Sequence, residues 1–253
     1  MNKLTLEEVK QIQIELLDEV HRFCTQNKLR YFLSSGTLIG AVRHKGYIPW
    51  DDDLDLYMPR ADYEKFIQSY QSNKYEVLSL QTQPSYVFPY MRLAKRNTLI
   101  IEEINPEHRL GINIDIFPVD GVPDNLYCRK AYFIFTRILL NLFFYTFNTN
   151  GKGAFFAKLS KIAVCFSTMM NGFLRRFSPT NTRSVCNVTW GVGLKGCFDS
   201  SSIEQDIDIE FEGKLYKTMI GYDDYLTKTY GNYMQLPPKE KQVTHHRFEA
   251  YEL

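Results

Sequence analysis

The run Gly46-Tyr47-Ile48-Pro49-Trp50-Asp51-Asp52-Asp53-Leu54-Asp55-Leu56-Tyr57-Met58 places four carboxylates in five positions and then turns apolar. Leu54 and Leu56 alternate with Asp53 and Asp55, the period-two pattern of a strand with one buried and one polar face. Residues two apart on a strand share a side, roughly 7 Å apart at Cα, so Asp53 and Asp55 face the same way. Carboxylates held this close repel unless a cation sits between them, and an all-oxygen set suits a hard divalent ion such as Mg²⁺ or Mn²⁺. A solvated turn after Pro49 is the bland alternative. The spacing Asp51-x-Asp53-x-Asp55 also imitates an EF-hand, but the sixth and twelfth positions counted from Asp51 are Leu56 and Asp62 rather than Gly and Glu. The D-x-D of sugar-nucleotide transferases stays open.

The neighbouring sequence adds to the acids. Ser34-Ser35-Gly36-Thr37 follows a short apolar strand and opens a helix, and backbone N–H groups at such a turn receive phosphate. Downstream, Ile112-Asn113-Ile114-Asp115-Ile116 puts the isoleucines on one face and Asn113 with Asp115 on the other. A phosphate turn, a D-h-D strand and a third acid on a later strand together suit transfer of a phosphorus group, which asks a protein to position and to neutralise charge. Arg43 and Lys45 stand close enough before the acids to contact a diphosphate, with Arg92 and Lys95 as weaker candidates, and Trp50 offers a face for a base. His245-His246 has no partners at zinc spacing.

The elements that must carry these residues alternate in type. Thr5 with Glu8 reads as a capping box, and Leu6, Val9, Ile12, Leu16, Val20 and Phe23 recur at helical spacing behind it, so a helix is expected from Thr5 to Asn27. A strand at 31–33, a helix at 37–43, a strand over 53–56 and a helix at 61–70 follow. Strands are expected at 75–80, 88–94, 99–104 and 111–118, the last stopped by Pro118, and Pro237-Pro238 should break the final helix and let the tail return over the site. The expectation is an α/β (α+β) fold with a mixed sheet flanked by helices.

Charge is distributed unevenly. The net charge of +1 over 253 residues, with 44% hydrophobic and 23% charged residues, argues against disorder and against a globally basic nucleic-acid binder. Yet between Asp124 and Asp199 no Asp or Glu occurs, while ten Lys and Arg do. Phe133–Tyr145 is apolar but interrupted by Arg137 and Asn141 and short of the ~20 residues of a span. With a second apolar helix expected at 155–174, the block reads as a core hairpin or as an interfacial one whose cations meet anionic lipid, and the charge bias favours the second. Five scattered cysteines without a C-x-x-C pair suggest reduced thiols, and the N-terminus lacks a secretory h-region, so a cytoplasmic protein, peripheral on the inner membrane surface, is expected.

The blocks SSGTLIGAVRHKGYIPWDDDLDLYMPRADYEKF, INIDIFPVDGVP and YDDYLTKTYGNYMQLPPKEKQVTHH resemble the LicD-type phosphotransferases, bacterial relatives of fukutin-related protein. The resemblance implies a nucleotidyltransferase-like core over 1–124, an apolar, basic helical insertion over 125–198 and a segment over 199–253 completing the catalytic domain. It implies transfer of phosphocholine or a similar phospho-alcohol from CDP-choline or another CDP-alcohol to a sugar hydroxyl of a surface glycan or lipid-linked oligosaccharide, releasing CMP. It further implies that Gly36 and Thr37 hold donor phosphate, that Asp53 and Asp55 bind Mg²⁺ or Mn²⁺, and that Asp115 completes the site or takes the acceptor proton. Asp51 falls in the family's acidic run, and His245 or His246 gains a substrate contact only through the resemblance. A nucleotide-sugar glycosyltransferase and a non-catalytic membrane-associated protein are the alternatives, and no nucleic-acid partner is expected.

Overall fold

The computed structural model describes residues 1–83, 86, 88–102, 109–148, 162, 165–166, 169, 172–174, 176, 181–189, 193–244 and 248–253. After β1 (Asn2–Leu4), helix α1 (Leu6–Asn27) begins at the expected capping box: Thr5 Oγ1 accepts from the Glu8 N–H at 3.3 Å, and Glu8 Oε2 accepts from the Thr5 N–H at 2.8 Å. Its Val9, Leu16, Leu17, Val20 and Cys24 are buried along one stripe, each large apolar side chain contributing roughly 1.5–3 kcal/mol. β2 (Phe32–Leu33), α2 (Ser35–His44), β3 (Asp55–Pro59), α3 (Arg60–Ser69), β4 (Tyr75–Leu78), β5 (Met91–Lys95), β6 (Thr98–Glu102) and β7 (Arg109–Leu110) follow in order.

The longest strand, β8 (Asn113–Val122), organises the larger sheet. It pairs in parallel with β3, and the register sets Asp55 opposite Asp115. β2 joins β3 antiparallel, β5 lies antiparallel on the other flank of β8 over Asn113–Ile116, and β4 extends the sheet beyond β5. The expected stop at Pro118 is wrong. The β5 pairing ends at Ile116 and that with β9 (Ser184–Cys186) begins at Asp120, so Pro118 sits where that flank demands no ladder bond.

Helix α4 (Leu126–Asn148) leaves the end of β8, and the chain re-enters the sheet at β9 with Ser184 directly opposite Val122. Tyr132, Leu139, Leu140 and Leu174 form a satellite core with Val122, Cys186 and Val188, while Tyr127, Ile134 and Ile138 are exposed beside Lys130 and Arg137. The described residues between 162 and 174 are helical; the rest of the helix expected at 155–174 lies outside the described residues. No helix among the described residues is long and apolar enough to cross a membrane.

β10 (Phe198–Asp199) pairs β9, the hairpin β11 (Asp206–Phe211) and β12 (Lys214–Met219) packs beside β2, and α5 (Tyr222–Tyr230) follows. Gly231, at φ 72°, ends α5 six residues before Pro237, so the prolines are not what breaks it. The last strand, β13 (Phe248–Glu252), inserts between β1 and β6 in a second, antiparallel sheet.

Below the larger sheet, Arg60 at the start of α3 grips Asp120 of β8 through two bonds, Nε to Oδ1 at 2.7 Å and Nη2 to Oδ2 at 2.6 Å. Both residues are buried, Asp120 completely. This bidentate pair fixes α3 against the strand that carries Asp115.

Candidate active site

Strand β3 starts at Asp55, so Asp53 belongs to the extended approach rather than to the strand, contrary to the sequence reading. The Asp115 N–H still donates to the Leu54 carbonyl at 2.9 Å, which carries the β3–β8 geometry one residue back toward Asp53. Asp51, Asp52 and Asp53 each bring one carboxylate oxygen within 4.8 Å of the others. Asp55 feels the charges of Asp53, Asp115 and Asp51. Four of the expected acids thus gather at one place, together with Asp52, which carried no expectation.

Helix α2 closes this centre from the side. The Asp55 N–H donates to Thr37 Oγ1 at 2.8 Å, and the Ser34 N–H donates to the Asp55 carbonyl at 3.1 Å. A Cβ on Gly36 would lie 2.6 Å from Asp51 Oδ2, so only glycine lets the helix start approach the acids. Ser34 has N-cap backbone geometry but makes no capping bond, and its buried Oγ has no hydrogen-bond partner among the described residues. The first turn of α2 therefore keeps backbone donors uncapped by side chain beside four acids.

Burial first, then the charges of Asp53 and Asp52, pushes Asp51 up to about 7 from an ordinary 3.8. Burial first, then Asp53, Asp115 and Asp51, raises Asp55 well above its usual range. These acids are costly to ionise together, and a divalent cation with oxygen ligands relieves that cost. The donor set fits Mg²⁺ or Mn²⁺.

This raised titration has a measurable consequence. Both carboxyls hold their protons to higher pH in the folded chain than in the unfolded one. The Asp51 contribution to stability is complete below about pH 4 and is lost as the pH rises through about 7, and that of Asp55 is lost in the same direction as the pH rises through its own raised range. In chelator, the melting temperature should fall between about pH 5 and 8, and millimolar Mg²⁺ or Mn²⁺ should raise it more at the upper end. A flat profile in chelator, or a cation effect independent of pH, would count against the cluster as a cation site.

The remaining expected residues are placed as follows. Arg43 donates from Nη1 to the Tyr233 carbonyl at 2.8 Å, holding the segment after α5, and burial lowers its pKa. Lys45 is exposed at the left-handed end of α2 (φ 62°), and its carbonyl accepts from the Glu212 N–H at 2.8 Å. Trp50 is half-buried against the main core. His245 and His246 lie outside the described residues, but the tail does return: Phe248 lines a cavity of about 70 Å³ with Asp52, Asp53, Asp115 and Arg92.

Besides Asp52, three residues with parts in the centre escaped the sequence reading or were underrated by it. Arg92, ranked there as a weak cation, donates from Nε to Asp115 Oδ1 at 2.8 Å and from Nη2 to Tyr90 Oη at 3.1 Å. Ser35, left-handed at φ 49°, stands by the Asp55 carboxyl and the Tyr230 hydroxyl of α5 and offsets part of the rise that burial gives each of them. Ser35 stood in the phosphate turn and could have been singled out; nothing in the local pattern marked Tyr230.

Fold and centre together define the class, an α/β protein with an acid cluster where its central parallel strand pair meets a helix N-terminus. Residues 28–137 match the family described as LicD/FKTN/FKRP, nucleotidyltransferase domain. Over 267 aligned residues, 99% of each chain, the protein is 33% identical to the lipopolysaccharide cholinephosphotransferase LicD of Haemophilus influenzae. It is also 33% identical over 116 residues, 45% of this chain and 41% of the other, to an uncharacterised protein of Rickettsia prowazekii. The chain belongs to the LicD family, and it is a transferase.

Proposed function

We propose that the protein transfers phosphocholine, or a closely similar phospho-alcohol, from a CDP-activated donor to a hydroxyl of a lipopolysaccharide-type glycan and releases CMP. The observation that carries this reading is the register of Asp55 against Asp115 beside the open turn at Gly36, in a chain alike over its full length to a cholinephosphotransferase.

In this reading the backbone N–H groups at Gly36 and Thr37 receive the donor diphosphate, while Thr37 Oγ1 steadies the entry to β3. Asp53 and Asp55, with Asp51 and Asp115 beside them, hold Mg²⁺ or Mn²⁺, which when bound neutralises charge on the diphosphate. Asp115, oriented by Arg92, accepts the proton of the attacking hydroxyl. The new bond joins the acceptor oxygen to the phosphorus bearing the alcohol, and the bond from that phosphorus to the CMP oxygen breaks. The exposed face of α4, with Tyr127, Ile134 and Ile138 beside Lys130 and Arg137, rests on anionic lipid at the cytoplasmic face and brings the centre to a lipid-linked acceptor.

The test supplies Mg²⁺, CDP-choline and lipopolysaccharide acceptor in anionic vesicles, and reads both products by phosphorus NMR and mass spectrometry. CMP and a phosphodiester-linked choline on the sugar are expected, with the protein sedimenting with the vesicles. Nucleoside monophosphate on the acceptor, or an added sugar with released nucleoside diphosphate, overturns the reaction. Indifference to vesicles returns the face of α4 to another role.

A further inference from the structure

The cysteines are scattered along the sequence, but the fold brings two of them together. β9 and β10 are antiparallel, with Val185 opposite Phe198 and Ser184 opposite Asp199, and the same register carried one rung further sets Cys186 opposite Cys197. Directly opposed residues of an antiparallel pair have Cα atoms about 4.5–5.5 Å apart, inside the roughly 4.4–6.8 Å that a disulfide spans. The side chains converge as well. Both thiols reach the Gly193 carbonyl oxygen, Cys186 Sγ at 3.7 Å and Cys197 Sγ at 3.9 Å. That carbonyl opens a short 3-10 helix, Gly193–Gly196, which delivers the chain to Cys197.

The two thiols differ in access. Cys186 is completely buried, whereas Cys197 is half-buried and lines a cavity of about 390 Å³ with Arg129, Ser184, Lys195, Asp199 and Lys228. Three cations here stand against one carboxylate, and Asp199 already accepts from the Ser201 N–H at 2.9 Å and from its hydroxyl at 2.6 Å. Lys228 also bonds Asp224 of its own helix at 2.6 Å. The thiolate is the reacting form of cysteine, and neighbouring cations favour it. The Cys186 thiol, with the Arg129 charge behind it, holds Cys197 below the ordinary thiol value in spite of burial. Cys197 and then burial push Cys186 well above that value. The accessible thiol is thus the more acidic one, and its buried neighbour is placed to attack it once it is oxidised.

We propose that Cys197 is a site of oxidation by small hydroperoxides and that Cys186 resolves it into a disulfide across β9 and β10. The Cys197 thiolate attacks one peroxide oxygen and the O–O bond breaks. The other oxygen takes a proton and leaves as water or an alcohol, and Cys197 becomes a sulfenic acid. The Cys186 thiol then attacks that sulfur, and its proton departs with the sulfenic oxygen as water. Two thiols lose two electrons and the peroxide gains them; a dithiol reductant reverses the bond. The bond ties the turn at Gly193 to the rung that pairs Cys186 with Asp120.

Peptide mapping of the whole chain tests this without reading transfer activity, so its outcome is separate from that of the reaction proposed above. Trypsin cuts after Arg183, Lys195 and Lys214, so the peptides 184–195 and 196–214 carry one of the two cysteines each. One equivalent of hydrogen peroxide, followed by alkylation and trypsin, should yield these two peptides joined, and dithiothreitol should part them. Cys197 should be consumed about tenfold faster than the exposed Cys128. In Cys186→Ala the sulfenic acid should persist at Cys197 and take up dimedone, and in Cys197→Ser the Cys186 thiol should stay reduced. Oxidation of Cys128 as fast as that of Cys197 overturns the proposal. So does wild-type Cys197 advancing to sulfinic acid while Cys186 remains alkylatable. Both of these results are read on wild type, so they decide the matter even where a variant folds poorly.

Discussion

Asp55→Asn and Asp53→Asn lower kcat by about 10³-fold or more and leave the far-ultraviolet spectrum unchanged. Asparagine keeps the volume and removes the charge. Asp55 is pressed by burial and by three neighbouring carboxylates, so its neutralisation also relieves repulsion, and the melting temperature measured in chelator should stay level or rise. Mg²⁺ should then raise the variant's melting temperature less than that of wild type. This opposition of activity and stability separates an acid kept for chemistry from one kept for the fold. Turnover within about tenfold of wild type at saturating Mg²⁺ would remove Asp55 from the centre.

Asp120→Ala should have the opposite profile, with a loss of about 3–5 kcal/mol in unfolding free energy, because the buried Arg60 loses its bidentate partner and keeps a longer contact with Glu64 at 3.4 Å. The double replacement Arg60→Met with Asp120→Leu should recover most of that loss, since desolvating the pair costs much of what its attraction returns. Denaturant titration of the single and double variants reads both effects. A single-variant loss under about 1 kcal/mol would mean that water or another group reaches the guanidinium.

Much of the framework was legible because it is local. The capping box at Thr5 and Glu8, the apolar stripe of α1 and the alternation at Leu54 and Leu56 each report the face that a residue presents, and the structure repeats them. What a sequence pattern omits is the neighbour on that face. The Ser35 contact with Tyr230, the Arg60 grip on Asp120 and the insertion of β13 between β1 and β6 all join distant segments. The start of β3 was misplaced because alternation continues into the extended approach, where Asp53 keeps the pattern without the strand. Pro118 misled for the complementary reason: a missing N–H ends a strand only where a partner needs it.

The pairing of Val122 with Ser184 means that residues 123–183 depart from and return to the larger sheet at a single rung. Such an excursion enters and leaves the sheet at one point, where Tyr132, Leu139 and Leu140 of α4 also pack on Val122, Cys186 and Val188, and its closure entropy rises only logarithmically, by about 0.6 kcal/mol for each doubling of length. The block can lengthen, shorten or change its surface without altering the rung that joins Asp55 to Asp115. Descent with variation can therefore remodel the part of the molecule that meets the outside world while the acids keep their stations.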